Sequence, residues 1–228
     1  MRLDILKGLN EERAARRSVV VVTNQDTGEQ RLVKAADVRN DPLKDVLGQR
    51  LRAAKSGIEE TAEGKVFLTV HVPSPKLVIT GAVHISQALA PMGQLLGYDV
   101  TIVDPRTAFA SIERFPDVKV IAEWPDVALP TVGIDRFTAF VALTHDPKID
   151  DPGIALALKS DCFYIGALGS RKTHARRVER LKTERGFTDN DIGRIHAPIG
   201  LDIAAVSPAE IAVAIMGEIT QRLREEPE

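Results

Sequence analysis

Lys76-Leu-Val-Ile-Thr80-Gly81-Ala-Val-His84-Ile-Ser86-Gln-Ala-Leu89 is the stretch that decides the fold. Residues 77–80 form a short β-prone run, Gly81 permits a sharp turn, and residues 85–96 carry helical spacing. A strand that passes through a glycine turn into a helix is the opening unit of a parallel sheet. The same order recurs downstream, with strands expected at Asp99–Val103 and at 118–121, 139–143 and 162–165. Helices are expected at 149–159 and 172–185, and a last helix opens at Ser207-Pro-Ala-Glu210, which supplies an N-cap, a proline at the first position and a glutamate at the third. The strand runs are apolar throughout rather than alternating, as in strands covered on both faces. The fold class is therefore α/β, a Rossmann-like parallel sheet with helices on both faces.

Upstream the pattern differs. A helical opening leads to Ser18-Val-Val-Val-Val-Thr23, a turn at Gln25-Asp-Thr-Gly28 and a second extended run to Val33, which together read as a hairpin. A helix is expected over 41–55, then a second hairpin across Gly64. Val72-Pro-Ser-Pro75 reads as a linker, since neither proline suits a helix interior or a central strand. The expected division is a small α+β domain over 1–74 and the Rossmann-like domain over 75–228.

The chain has 228 residues, 44% of them hydrophobic, enough for a substantial core. Thirty basic residues against 32 acidic ones leave no basic excess of the kind that nucleic acid or an anionic membrane surface attracts. No apolar run approaches the roughly 20 residues of a membrane span. The single cysteine, Cys162, excludes an internal disulfide and fits a reducing compartment, so a cytoplasmic protein is expected. His71, His84, His145, His174 and His196 have no short ligand spacing, and no metal site made by side chains is expected. There is no G-x-S-x-G elbow for hydrolase chemistry.

Ligands of open α/β sheets bind outside the carboxyl ends of the strands, so the loops there carry the candidates. Gly81, Ala82, Val83 and His84 form a strand–helix turn suited to an anion. Of the G-x-G-x-x-G fingerprint only the first glycine is present, Val83 and Ser86 standing at the other two positions, which counts against conventional NAD binding. Asp104 lies 23 residues past Gly81, near the spacing of a ribose-binding acid, and Arg106 offers a fork for a phosphate; the pair reads equally as a salt bridge capping the strand. Thr144-His145-Asp146 has two readings, proton transfer by the histidine–aspartate neighbours or a turn in which Asp146 caps the next segment. Gly169-Ser170-Arg171-Lys172 brings two cations to a helix N-terminus, against the helix dipole, a conflict that an anionic ligand would relieve. Arg176, Arg177, Arg180 and Lys182 beyond it read as an ordinary solvated face. Ile195-His196-Ala-Pro-Ile-Gly200-Leu-Asp202, outside the strand–helix alternation, is either a rigid loop presenting His196 and Asp202 or a packed connector.

Taken together, Gly81-Ala-Val-His84, Val103-Asp-Pro-Arg106, Gly166-Ala-Leu-Gly-Ser-Arg-Lys-Thr-His174 and Ile195-His-Ala-Pro-Ile-Gly-Leu-Asp202 resemble the XdhC/CoxI family over essentially all of 76–225. The resemblance implies an accessory factor of molybdenum hydroxylases such as xanthine dehydrogenase and carbon monoxide dehydrogenase. Such a factor binds molybdenum cofactor, a molybdopterin sometimes extended to a dinucleotide, supports its sulfuration with a cysteine desulfurase partner, and delivers it to the apo-enzyme. It also implies a homodimer. The implied ligand-binding positions are Gly81 to His84, Asp104, Arg106, Gly169 to Lys172 and the His196–Asp202 loop, with Thr144 and His145 added from the residues themselves. Other members often show Gly-Ala-Gly-His where this chain has Gly-Ala-Val-His. A carrier suits the residues better than a catalyst, the competing class being an NAD(P)-dependent oxidoreductase.

Overall fold

The computed structural model describes residues 2–62 and 64–225, which form two compact units, one running to Pro73 and the other spanning Ser74–Glu225. Among the described residues no helix is long and apolar enough to cross a membrane.

In the first unit α1 (Leu3–Ala14) precedes strands β1 (Val19–Asn24) and β2 (Gln30–Lys34), and α2 (Lys44–Ala53) precedes β3 (Gly57–Thr61) and β4 (Gly64–His71). The strands form an antiparallel sheet in the order β2-β1-β4-β3. Four consecutive valines fit β1 because helices cover both of its faces. Val19 and Val21 pack with Ile5 and Leu9 of α1, whereas Val20 and Val22 pack with Leu47 of α2. The helix expected over 41–55 is shorter, starting at Lys44. A 3-10 helix occupies Ala35–Asn40, and Asp41 is taken up by the Arg31 guanidinium and the Leu43 N–H.

Glu12 is buried in this unit between Arg17 and Lys34, at 2.6 and 3.0 Å. The hydrogen bond from Arg17, chiefly, pulls its carboxyl down to about 2. A carboxyl lowered on folding contributes stability that is complete above its unfolded value and lost as pH falls through the folded one. Glu12→Gln is accordingly expected to weaken hydrogen-exchange protection of Val19–Val22 at pH 6, and the gap from wild type should close as pH falls from about 4.5 toward 2. A gap independent of pH would refute this account.

The second unit contains β5 (Lys76–Thr80), α3 (His84–Leu95), β6 (Asp99–Val103), β7 (Lys119–Ile121), α4 (Pro125–Val132), β8 (Thr138–Ala142) and α5 (Pro147–Leu158), then β9 (Tyr164–Ala167), α6 (Arg171–Arg185), α7 (Asp189–Ile192), β10 (Ile195–His196) and α8 (Pro208–Arg224). All strand pairs are parallel, in the order β10-β9-β8-β5-β6-β7. Leu77, Ile79, Val141 and Tyr164 face the layer of α3 and α8. Val78, Phe140, Ala142 and Ile165 face the layer of α4, α5 and α6. Burial on both sides is what makes these runs continuously apolar.

Several elements differ from expectation, the short α7 among them. The strand expected over 162–165 runs from Tyr164 to Ala167, its register fixed by Ala139 opposite Tyr164. Cys162 lies buried before it, with the Arg194 guanidinium bonded to its carbonyl at 3.1 Å. Ile195 and His196, read as outside the alternation, form the sixth parallel strand beside β9. Finally, α4 stands where no element is expected, with Pro125 at its start and Pro130 inside it.

Candidate functional site

Numbered within the sheet, the strand order is 6-5-4-1-2-3, so the crossovers leave in opposite directions from β5 and β8 and the crevice opens between their carboxyl ends. Gly81 follows β5 there with φ +110°, and a Cβ on it would lie 2.8 Å from the Thr144 methyl and 3.3 Å from the Thr144 amide nitrogen. The turn is fastened from several sides. Gly81 N–H donates to Val103 O at 2.9 Å, and Arg114 donates to Ala82 O at 2.9 Å. The buried Ser86 hydroxyl donates to Gly81 O and accepts the Val83 N–H. Ser86, at the third fingerprint position, thus binds the turn where a glycine would only leave room. Val83 is the N-cap of α3 and packs against the apolar cluster, and its side chain offers no acceptor to the first-turn amides. The first-turn amides from His84 onward are left for an external acceptor, and His84 itself is exposed.

Asp104 is fully buried at the end of β6. Its carboxylate accepts from Ala82 N–H at 2.8 Å, Arg106 N–H at 2.9 Å and both arms of the Arg106 fork at 2.9 and 2.7 Å. Burial works to raise its pKa, but these donors outweigh it and hold the carboxyl below the usual range. The pair therefore ties the phosphate-type turn to the next strand. The outer part of Arg106 stays partly exposed and lies 4.6 Å over the Phe109 ring. Nothing in the sequence marks Arg114, which joins this cluster through Ala82 O and Gln87.

Across the crevice, Thr144 donates its N–H and hydroxyl to buried Asp150 at 3.2 and 2.7 Å and accepts Asp146 N–H at 3.0 Å. Asp146 caps α5 by accepting Lys148 N–H at 2.9 Å. Of the two readings of this loop, the capping turn is thus present. His145 is exposed and held at φ +62°.

Gly169, at φ +136°, follows β9, and a Cβ there would lie 3.8 Å from His145 Nδ1, so the loops after β8 and β9 adjoin. Ser170 caps α6, accepting Thr173 N–H at 3.2 Å, and Arg171 and Lys172 stand exposed in a first turn that has no acidic residue. The solvated-face reading holds for the exposed Arg176 and Lys182 and is corrected for Arg177 and Arg180. Arg177 is only 2% exposed and donates to Leu168 O at 3.0 Å. It sits 3.9 Å from both Asp150 and Asp151, while Arg180 forks onto Asp151. Burial pushes the Asp150 carboxyl up. Asp150, two residues beyond Lys148, is the hidden acid that makes burying Arg177 tolerable, and a helical arginine-rich string gives no sign of it.

At the sheet edge His196 lies opposite Gly166, its ring stacked on Tyr164 at 4.8 Å and its Nδ1 2.8 Å from Glu218. Glu218 also accepts the Tyr164 hydroxyl at 2.6 Å and Gly200 N–H at 2.7 Å. Asp202 is exposed on the following loop, and among the described residues no contact joins it to His196. Glu218 is a polar residue on the core-facing side of α8, a breach of the helix's apolar pattern that could have flagged it.

A six-stranded parallel sheet of this order, with a glycine turn leading into a helix at its switch point, defines a doubly wound, Rossmann-like α/β domain. The sequence profile described as the XdhC Rossmann domain matches residues 77–219, and the chain belongs to that family. It is 31% identical over 157 residues to a probable xanthine dehydrogenase subunit from Bacillus subtilis, covering 68% of this chain and 45% of that protein. It is 30% identical over 155 residues to the molybdenum cofactor insertion chaperone PaoD of Escherichia coli, covering 68% and 42%. The uncharacterized protein YqeB of E. coli is 30% identical over 157 residues, covering 68% and 29%. The chain thus spans less than half the length of these curated relatives. A crystal structure of a xanthine dehydrogenase from Bacillus halodurans shares the fold with a TM-score of 0.66 at 23% identity, over 96% of this chain and 63% of that one.

Proposed function

We propose that this chain is a maturation factor that binds molybdenum cofactor, as molybdopterin or its dinucleotide, and delivers it to an apo molybdenum hydroxylase. The observation that carries the reading is the convergence at the switch point: the Gly81 turn and the start of α3, with the basic start of α6 two strands away beyond the adjoining loop of β8. Two helix N-termini and Arg171 and Lys172 suit the phosphate of such a cofactor. At Gly81 a Cβ would meet the Thr144 methyl at 2.8 Å, so glycine there lets the loops after β5 and β8 close together at the mouth of the crevice. Bound there, the cofactor would supply its own redox chemistry to the recipient enzyme, while this chain's residues would hold and release it. Thr144 and His145 border the crevice, and His84, Arg106, Gly169 and Ser170 complete it. The same reading extends to support of sulfuration by a cysteine desulfurase, recipients of the xanthine or carbon monoxide dehydrogenase type, a homodimer, and a cytoplasmic setting. Similarity to a protein named as a molybdenum cofactor insertion chaperone supports it.

The test is purification after co-expression with cofactor synthesis, followed by released-pterin fluorescence and metal stoichiometry. Near-stoichiometric pterin is expected. Little pterin together with saturable NAD(P) binding would replace this reading with an oxidoreductase. Arg171→Glu should weaken retention more than about tenfold, since charge-assisted contacts contribute roughly 1.5–3 kcal/mol and reversal adds repulsion. Full retention in a folded variant would remove the start of α6 from the site.

A further inference from the structure

We propose that His196 is a proton-accepting residue of the ligand site, with Glu218 and Tyr164 as the positioning residues that present its Nε2 lone pair at the carboxyl edge of the sheet. The inference rests on the reading that a ligand lies along that edge.

Three donors converge on Glu218: the Tyr164 hydroxyl, Gly200 N–H and the His196 ring. Burial raises its pKa, but the bonds from His196, Tyr164 and Gly200 outweigh this and keep the carboxyl ionised at neutral pH. A carboxylate 2.8 Å from Nδ1 requires a proton on that nitrogen, so in the neutral ring Nε2 carries the lone pair. Stacking on Tyr164 fixes the ring plane. Nε2 has no partner among the described residues, and the side chain keeps 21% of its surface exposed. Holding α8 against β9 and the Gly200 loop needs only Tyr164, Gly200 and Glu218. The histidine adds an uncommitted acceptor at the end of β10, on the same sheet end as the Gly81 and Gly169 turns.

The step it performs is a proton transfer. A ligand N–H or O–H bond breaks, the proton forms a bond to Nε2, and the imidazolium charge is offset by Glu218; nothing is oxidised. Arg222, one turn further along α8 and paired with Glu225, also acts electrostatically on Tyr164.

The experiment uses the full chain with 15N-labelled histidine. Two-bond proton–nitrogen correlation at pH 8 should show His196 with its proton on Nδ1. Glu218→Gln, which keeps an oxygen for Tyr164 and Gly200, should shift a large share of the proton to Nε2. Diethyl pyrocarbonate should acylate His196, and both Glu218→Gln and Tyr164→Phe should slow this at least threefold relative to exposed His84. A wild-type Nε2–H tautomer, or an unreactive His196, overturns the proposal. Protein carrying co-purified cofactor should be protected at His196. Bound cofactor without protection also overturns it while leaving the carrier function standing. Absence of pterin defeats the carrier function, and the tautomer and acylation rates then decide the dyad alone.

Discussion

Arg177→Ala should cost about 3–5 kcal/mol at pH 7.5, the usual consequence of stripping one partner from a buried charge cluster. The guanidinium stands between two carboxylates at 3.9 Å and holds the carbonyl of Leu168 just before Gly169. Its loss leaves Asp151 with Arg180 but strips Asp150 of the one cation that pairs with it among the described residues. Asp150 already has its pKa raised, chiefly by burial. A carboxyl raised on folding contributes stability that is complete below its unfolded value and lost as pH climbs through the folded one. Without Arg177 that rise is larger, so the variant's deficit should shrink from pH 7.5 to pH 5 as Asp150 becomes easier to protonate. Urea midpoints of wild type and variant at both pH values check this. Equal midpoints at pH 7.5 would show that the cluster is energetically idle.

Gly81→Ala is the second large effect. The residue would hold a non-glycine side chain at φ +110° with Cβ 3.3 Å from a backbone nitrogen that cannot rotate away. Strain of this sort costs about 1–3 kcal/mol, and relieving it pulls Ala82 off Asp104. Retained pterin is expected to fall at least tenfold in protein that still folds. Gly97→Ala is the control, since Gly97 has φ +83° but nothing within 4 Å of its would-be Cβ. Equal retention in the two variants would show that the turn is not where the ligand is held.

What could be read from the sequence follows from how each feature is encoded. The doubly wound sheet was visible because strands buried on both faces write continuous apolar runs, as at 77–80 and 139–143. β10 was not, because two residues carry no period and its pairing with β9 is wholly non-local. The turns at Gly81 and Gly169 were legible as glycines before helices. The residues that hold them were not: Arg114, Asp150 and Arg177 act across 32, 6 and 9 positions, and only folding brings them to their partners.

The clasp at Asp104 bears on coenzyme selection. An ionised carboxylate has about four lone-pair sites, and here four donors from the chain occupy them. In nicotinamide enzymes the acid at this strand end grips the ribose diol and so tells NAD from NADP. In this chain the acid is spent on bracing its own scaffold, leaving that sugar without its usual reader. Whatever is selected here must be chosen by other groups, at the helix starts and along the far edge of the sheet.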